Sequence, residues 1–277
     1  MRIQDISSNL QPDADGIYVT PGSTAKVSYA SHGHAECFGV EDASFWFRHR
    51  SECISAMVKC HPHPGGTFLD LGGGNGYVAQ RLEADGHDVL LVEPGPEGAR
   101  NARMRRHLPH VACARMEDCQ FKDGSFGAIG MFDVIEHIQD DRGFLVGIAP
   151  LLAHGGKLYL SVPCHDWLWS QADVTAGHFR RHTTASMVSL LDGLFRIDYL
   201  SFIFLPLVLP QLLLRALPYR LGLGRDGLLP PEVEHGKRGN GMAIDLLDRI
   251  LAIETRRIRR GGRIPFGASC LVSASAA

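Results

Sequence analysis

The stretch Phe68-Leu69-Asp70-Leu71-Gly72-Gly73-Gly74-Asn75-Gly76 decides the fold of this chain. Residues 67–71 form an apolar run typical of a β-strand, which ends in a glycine-rich turn, and 78–84 have the pattern of a helix. Because glycine has no Cβ, main-chain N–H groups and the amino end of the helix can come close to a ligand. The stretch therefore predicts a strand, a ligand-binding turn and a helix.

The same alternation of strand and helix patterns continues on the carboxyl side of the turn. Further strands are predicted at 88–92, 111–114, 127–132 and 157–162, a second helix at 96–107, and two late strands at 195–201 and 267–273. Such alternation is typical of a mostly parallel sheet covered by helices on both faces. We therefore expect an α/β fold with a seven-stranded sheet.

The remaining segments flank this sheet or interrupt it. Residues 42–59 have the pattern of a helical cap, and the polar, Pro- and Gly-containing sequence up to residue 24 predicts a loose arm. We divide the chain into an N-terminal arm and cap at 1–60 and an α/β domain at 61–277. An apolar helical insertion at about 202–262 precedes the last strand of that domain.

Composition and charge exclude several classes of protein. The chain has 277 residues, of which 45% are hydrophobic and 21% charged, so neither a disordered nor a fibrous protein is indicated. A formal net charge of -2 gives no general attraction to nucleic acid. Seven cysteines without a CxxC pair fit reduced thiols, and the first residues lack the apolar core of a signal peptide. We expect a cytoplasmic protein.

Two acidic residues limit which ligands the glycine turn can be expected to bind. Asp70 precedes the glycines, where its carboxylate can accept a hydrogen bond from the ammonium of an amino-acid ligand. Glu93 ends the next strand about 20 residues on, where it can accept ribose hydroxyls. Residues 74–79 also fit the dinucleotide pattern GxGxxA, so an NAD-dependent oxidoreductase stays an alternative at this point.

Three motifs taken together resemble one family. The stretch at 68–76, Leu91-Val92-Glu93-Pro94, and Phe132-Asp133-Val134-Ile135-Glu136-His137-Ile138 are similar to class I S-adenosylmethionine (SAM)-dependent methyltransferases of a type 11/23-like subgroup. The resemblance spans about 66–163 in the family's order. It implies a Rossmann-like fold, SAM as cofactor and S-adenosylhomocysteine (SAH) as product.

The resemblance also implies which residues hold the cofactor. Asp70 would meet the amino group of SAM, Glu93 the ribose, and Phe132 and Asp133 would face the cofactor. The methionine part would lie on the glycines, which are Gly72, Gly73, Gly74 and Gly76. Met116, Glu117 and Asp118 would border the adenine, although Arg115 stands where the family often has an Asp. In the cap, Arg48 or Arg50 could pair with the methionine carboxylate, with Arg48 as our assignment, and a plain amphipathic cap is the alternative.

The residues expected to contact the methyl acceptor follow the predicted strand at 157–162. Trp167, Trp169, Asp173 and the run 177–182 resemble the WSxxDxxxGHxRRY-like stretch of a methyltransferase subgroup, with His182 in place of the usual Tyr. Loops at the carboxyl ends of parallel strands bind ligands, so this stretch should cover the methyl group. For a hydroxyl acceptor His178 is our candidate general base, with Asp173 or Asp166 to orient it and Arg180 beside it. A bracing role for His178 and Arg180 is the alternative.

These residues lead to a prediction of function. We expect O-methylation of a small molecule, such as a sugar or a lipid-linked intermediate, and a non-catalytic SAM-binding partner protein is a further alternative. The apolar segment 202–218 is interrupted by prolines and an arginine, so it predicts a buried or interface helix, a homodimer contact or a lipid-touching surface rather than a membrane span. His32, His34 and Cys37, with Cys60, His61 and His63, lack a second paired-Cys module, and we expect no metal site.

Overall fold

A single sheet organises the chain in the computed structural model, which describes residues 1–21, 38–223 and 242–276. The described residues form nine strands: β1 (Gln11–Pro12), β2 (Tyr18–Val19), β3 (Thr67–Leu71), β4 (Val89–Val92), β5 (Val111–Cys113), β6 (Phe126–Phe132), β7 (Leu152–Pro163), β8 (Phe195–Ile203) and β9 (Ser269–Ala276). Their order in the sheet is β1-β2-β5-β4-β3-β6-β7-β9-β8. The expected seven strands are present, and β1 and β2 extend one edge.

The sheet is mostly parallel, as expected. Strands β2, β5, β4, β3, β6 and β7 run parallel, whereas β9 is antiparallel to both β7 and β8. Asp70 of β3 lies opposite Leu91 of β4 and Gly130 of β6. This register brings the carboxyl ends of β3, β4 and β6 to one edge of the sheet, where open α/β sheets bind their ligands.

Helices cover the sheet. Their bounds are α1 (Ile3–Ile6), α2 (Phe45–Cys60), α3 (Tyr77–Ala84), α4 (Pro96–Met104), α5 (Asp141–Ile148), α6 (Gln171–Ala176), α7 (Thr184–Leu191), α8 (Val208–Gln211), α9 (Leu217–Arg220) and α10 (Met242–Arg259). Every residue of β3, β4 and β6 is buried. Strands covered on both faces form continuous apolar runs, which explains why the sequence located them well.

The expectation of a loose N-terminal arm is wrong for residues 1–21. Ile3, Ile6, Leu10 and Ile17 are buried in the main core, and β2 pairs with β5. Ser7 Oγ donates to the carbonyl of Cys119 at 2.6 Å. The polar residues between these apolar positions suggested a loop, but the apolar side chains cover the sheet edge beside β5.

The cap is helix α2, which packs against α10 through a buried polar cluster. His49 Nε2 lies 2.8 Å from Glu254 Oε2, and Cys53 Sγ lies 3.4 Å from Thr255 Oγ1. Glu254 also accepts the main-chain N–H groups of Phe204 and Leu205, at 2.8 Å each. The cluster thus joins the cap, α10 and the start of the insertion. The division of the chain into domains at residue 60 stays a prediction.

The insertion between β8 and β9 is helical in its described parts. Helix α8 continues through a π-helical segment, Leu212–Ala216, into α9, and α10 leads back toward β9. Among the described residues, no helix is both long enough and apolar enough to cross a membrane.

Candidate active site

The glycine turn connects β3 to α3 in a conformation that glycine permits. Gly72, Gly74 and Gly76 have φ values of 71°, 55° and 82°, in the left-handed region that disfavours other residues. At Gly73 the requirement is steric, because an added Cβ would lie 2.6 Å from Leu91 Cδ1 and 2.7 Å from Asp70 Oδ2. The turn is therefore packed tightly against the end of β4 and against the carboxylate of Asp70.

Asp70 is the most unusual carboxylate of the turn. It is 1% exposed, and neither of its oxygens has a hydrogen-bond partner. The pKa of Asp70 is raised to about 7, mainly by burial. The nearby Arg50 guanidinium opposes this rise, and the charge of Glu93 adds to it. A buried carboxylate without donors is costly, and a bound ammonium group would supply the missing partners.

Glu93 lies beside the same turn but is held by the main chain. One of its oxygens accepts from Gly74 N at 2.9 Å, and the other accepts from Gly95 N at 2.6 Å. The side chain is buried. These bonds fix the carboxylate between the glycine turn and the start of α4, the position from which it was expected to meet a ribose.

The cap contributes Arg50 to the site. Arg50 donates to the carbonyl of Phe132 at 2.8 Å and forms an ion pair with Asp133, with 2.6 Å between Nε and Oδ2. Asp133 has a φ of 58° and accepts a hydrogen bond from Ser161 Oγ at 2.9 Å. A non-glycine residue held at positive φ at the end of a strand is a form of strain that clusters at functional sites.

Arg48 lies elsewhere. Its guanidinium donates to both carboxylate oxygens of Asp248 on α10, at 2.8 and 2.9 Å. The pair of arginines was recognised in the sequence, but Arg50 is the one that contacts the end of β6. Helical spacing alone could not separate them, because the partners of both are distant in sequence. Arg48 as a cofactor ligand stays a prediction.

The residues expected to lie beside the adenine of the cofactor follow β5. Met116 and Glu117 belong to a short 3₁₀ turn, Met116–Asp118, in which Met116 is half-buried and Glu117 is exposed. The turn follows β5, the neighbour of the strand that ends before Glu93. Its place at the carboxyl edge of the sheet agrees with the predicted role, which stays a prediction.

The loop at 165–182, which we call the lid loop, is built around Asp173. Asp173 is buried, and its carboxylate lies 3.0 Å from His178 Nδ1 and 2.7 Å from Arg181 Nε. Burial acts to raise the pKa of Asp173, but the hydrogen bonds from His178 and Arg181 outweigh it and lower the pKa to about 2. The structure thus joins His178 to its proposed orienting residue and adds Arg181, which the sequence analysis did not single out.

The lid loop docks at the carboxyl end of β6. Phe179 N donates to the carbonyl of Glu136 at 2.8 Å. Arg180 forms an ion pair with Asp141 and donates to the carbonyl of Gln139 at 2.6 Å. Arg180 therefore braces the loop against the start of α5, and its predicted catalytic role stays untested.

A compact cluster forms where the lid loop meets the residues that follow β6. One carboxylate oxygen of Glu136 and one ring nitrogen each of His137 and His178 lie within 4.8 Å of one another. The two histidine rings meet edge to face, with 4.7 Å between their centroids. Glu136 is fully buried without a hydrogen-bond partner for its side chain. Burial raises its pKa well above the usual range, as does the neighbouring Asp133. Burial also lowers the pKa of His137 to about 4, so that ring is neutral at pH 7.

A buried network behind the turn was missed by sequence reasoning. Asn75 Nδ2 donates to Glu41 at 2.9 Å, and Arg106 donates to the other oxygen of Glu41 at 2.9 Å. Arg106 also donates to Asp42 at 2.7 Å. These residues come from three separate parts of the chain, and no local pattern marks them. They fix the position of the glycine turn.

The observed residues fit SAM. Asp70 has two buried oxygens without partners that suit its ammonium, Glu93 is positioned for its ribose, and the turn leaves main-chain amides without a Cβ beside them. The fold, with its antiparallel last strand, and this turn define a class I methyltransferase site.

Comparison with known proteins identifies the family. The chain belongs to a methyltransferase domain family, whose model matches residues 46–192. The chain is thus a SAM-dependent methyltransferase by family, which sets aside the alternative of an NAD-dependent oxidoreductase.

Individual relatives are more distant. The chain is 30% identical over 117 residues to a ubiquinone biosynthesis O-methyltransferase of Xanthomonas axonopodis pv. citri, covering 40% of this chain and 48% of the relative. It thus spans about half the length of the curated relatives it matches.

Two solved structures share the fold. One is a Thermotoga maritima SAM-dependent methyltransferase described as a possible histamine N-methyltransferase, with a TM-score of 0.53, 19% identity, and 88% and 95% of the two chains covered. The other is Haemonchus contortus phosphoethanolamine N-methyltransferase 2, with a TM-score of 0.54, 17% identity, and 93% and 61% covered. At these identities the likeness concerns the fold alone.

Proposed function

We propose that this enzyme methylates a hydroxyl group of a small-molecule acceptor, with His178 as general base. The observation that carries the proposal is the contact of His178 Nδ1 with Asp173 Oδ1 at 3.0 Å, in a loop that docks on the end of β6. This contact leaves Nε2 as the ring nitrogen that can take a proton from the acceptor. The curated relatives are named as ubiquinone biosynthesis O-methyltransferases, which supports the same acceptor atom.

The residues of the chain would divide the work as follows. Asp70, Glu93 and the glycine turn would hold SAM, which supplies a methyl group on a positively charged sulfur. His178 Nε2 would take the proton that the acceptor hydroxyl loses when its oxygen receives the methyl group, and SAH would be the second product. The lid loop aligns the acceptor and excludes water, the main requirements of an in-line transfer.

We propose a sugar or a lipid-linked molecule as the acceptor that carries this hydroxyl group. The exposed leucines of the insertion, such as Leu214 at 75% exposure, favour an acceptor with an apolar part. Arg220 of α9 lies 3.4 Å from the carbonyl of Asp166 in the lid loop, so the insertion lies against the acceptor side.

The test compares His178→Gln with His154→Gln, a matched change at an exposed position. Each protein is incubated with radiolabelled SAM and a panel of phenols, sugars and hydroxylated lipids, and SAH affinity is measured by calorimetry. We expect an O-methylated product, a kcat lowered about 10² to 10⁴-fold by His178→Gln, and unchanged SAH affinity. Full activity of His178→Gln, or a product methylated on nitrogen or carbon, would contradict the proposal.

A further inference from the structure

Exposed apolar side chains are concentrated on the insertion. Of 16 large hydrophobic residues exposed in the described part of the chain, 10 lie within 205–223 or 246–253. Scattered exposed leucines are ordinary, but a contiguous set marks an interaction surface. We call the exposed side chains of 205–223 and 246–257 the insertion surface.

The first half of this surface is a leucine stripe. Leu209, Leu213 and Leu217 recur at every fourth residue through α8, the π-helical segment and α9, and all three are exposed. Leu214, at 75% exposure, is next to them. The only charged residues in 205–223 are Arg215 and Arg220, so the stripe carries no carboxylate.

The second half is one face of α10. Leu246, Ile250 and Ile253 are exposed at helical spacing, and Arg249, Arg256 and Arg257 continue the same face and are exposed too. The opposite face is buried against α2. The face is thus mainly apolar from Leu246 to Ile253, where Arg249 is its one basic residue, and basic at Arg256 and Arg257.

The carboxylates described on α10 do not neutralise this face. Asp248 is bound by the guanidinium of Arg48, and Glu254 is buried with His49 and the N–H groups of Phe204 and Leu205. Leu205, which precedes the leucine stripe, donates its main-chain N–H to Glu254 on the buried face of α10. The exposed charge of the insertion surface is therefore positive.

We propose that the insertion surface docks the enzyme onto the face of an anionic lipid bilayer. In the described part of the insertion, leucines lie beside arginines without exposed carboxylates, which matches the apolar and anionic layers of such a surface. Because Arg220 contacts Asp166, docking places the lid loop next to the bilayer. The inference does not depend on the acceptor atom, since it concerns binding of the protein to lipid.

The test is sedimentation with vesicles made of equal parts of phosphatidylglycerol and phosphatidylcholine, compared with phosphatidylcholine alone. We expect binding to the anionic vesicles, weaker binding to the neutral ones, and loss of binding as salt rises. The variant Leu213→Gln/Leu214→Gln/Leu217→Gln should lower the partition coefficient at least tenfold. The variant Arg249→Gln/Arg256→Gln should lower it by about fivefold for each arginine.

The matched control is Met104→Gln/Val146→Gln/Val188→Gln, which changes three comparably exposed apolar residues outside the surface and should bind as the unchanged protein does. Circular dichroism of each variant verifies folding. Absence of binding to anionic vesicles, equal binding by the leucine variant, or a dimer in solution that the leucine variant dissociates would overturn the proposal. SAH affinity is measured on the same variants, so failure of the cofactor site is distinguished from failure of lipid docking.

Discussion

Asp70 and Glu93 end neighbouring parallel strands, yet their carboxylates have different surroundings. Glu93 accepts two main-chain N–H groups, whereas Asp70 is buried with no donor and its pKa is raised to about 7, first by burial. Hydrogen bonds stabilise the ionised form of a carboxylate, and burial without them favours the protonated form. Of these two carboxylates, Asp70 is therefore the one whose charge state a bound ammonium group would change more.

This difference predicts a pH dependence of cofactor binding. An ammonium group pairs with ionised Asp70, and ionisation increases as the pH rises through the raised pKa of about 7. SAH should therefore bind about fivefold more tightly at about pH 7 than at about pH 6. Calorimetry on the unchanged protein and on Asp70→Asn checks this.

We expect Asp70→Asn to bind SAH weakly with no such pH dependence, whereas Asp123→Asn, at an exposed turn, should behave as the unchanged protein. Equal pH dependence in Asp70→Asn would assign the effect to another group.

Gly73 and Gly147 give a second prediction at the scale of single residues. A Cβ at Gly73 meets Leu91 and Asp70 at less than 3 Å, whereas a Cβ at Gly147 in α5 meets nothing within 4 Å. Gly73→Ala should lower the free energy of unfolding by about 2 kcal/mol and weaken SAH binding. Gly147→Ala should raise the free energy of unfolding by about 0.5 kcal/mol, because alanine favours a helix.

Urea denaturation of both variants measures these changes. Equal stability of the two variants would mean that the turn has room for a side chain, contrary to the contacts seen at Gly73.

At the scale of elements, the lid loop depends on Asp173. Its carboxylate holds His178 and Arg181, and both members of the Asp173–Arg181 pair are at least nine-tenths buried, with side chains 1% and 10% exposed. Asp173→Asn leaves a buried guanidinium unpaired, so we expect a loss of about 3 kcal/mol in the free energy of unfolding. Asp192→Asn, exposed at the end of α7, is the control.

The pH dependence of this loss follows from the lowered pKa. Asp173 titrates at about 2 in the folded chain, against an ordinary value of 3.8. The stabilisation of the fold by ionised Asp173 is fully present above pH 3.8 and is lost as the pH falls toward about 2. The stability difference between Asp173→Asn and the unchanged protein should therefore shrink in that range, and a constant difference would point to packing instead of charge.

At the scale of the whole molecule, the first residues are part of the core. Ile6 is 7% exposed and belongs to the main hydrophobic core of the protein. Ile6→Ala should lower the free energy of unfolding by about 3 kcal/mol in urea denaturation. Gln4→Ala, at an exposed position of the same helix, should have no measurable effect. Equal stability of Ile6→Ala and the unchanged protein would restore the expectation of a loose arm.

The sequence by itself determined the strands β3 to β7, the glycine turn and the acidic residues at 70 and 93. These features are local: fully buried parallel strands appear as short apolar runs, and a tight turn needs glycine wherever φ is positive. Asp173 and His178 were found for the same reason, since they lie in one short motif.

Only the tertiary structure decided which arginine of the cap reaches the end of β6, that Arg181 shares Asp173, and that residues 1–21 join the core. It also brought Glu41, Asn75 and Arg106 together behind the turn. The physical reason is that ion pairs and burial depend on distances between segments far apart in sequence, which no local pattern of residues encodes.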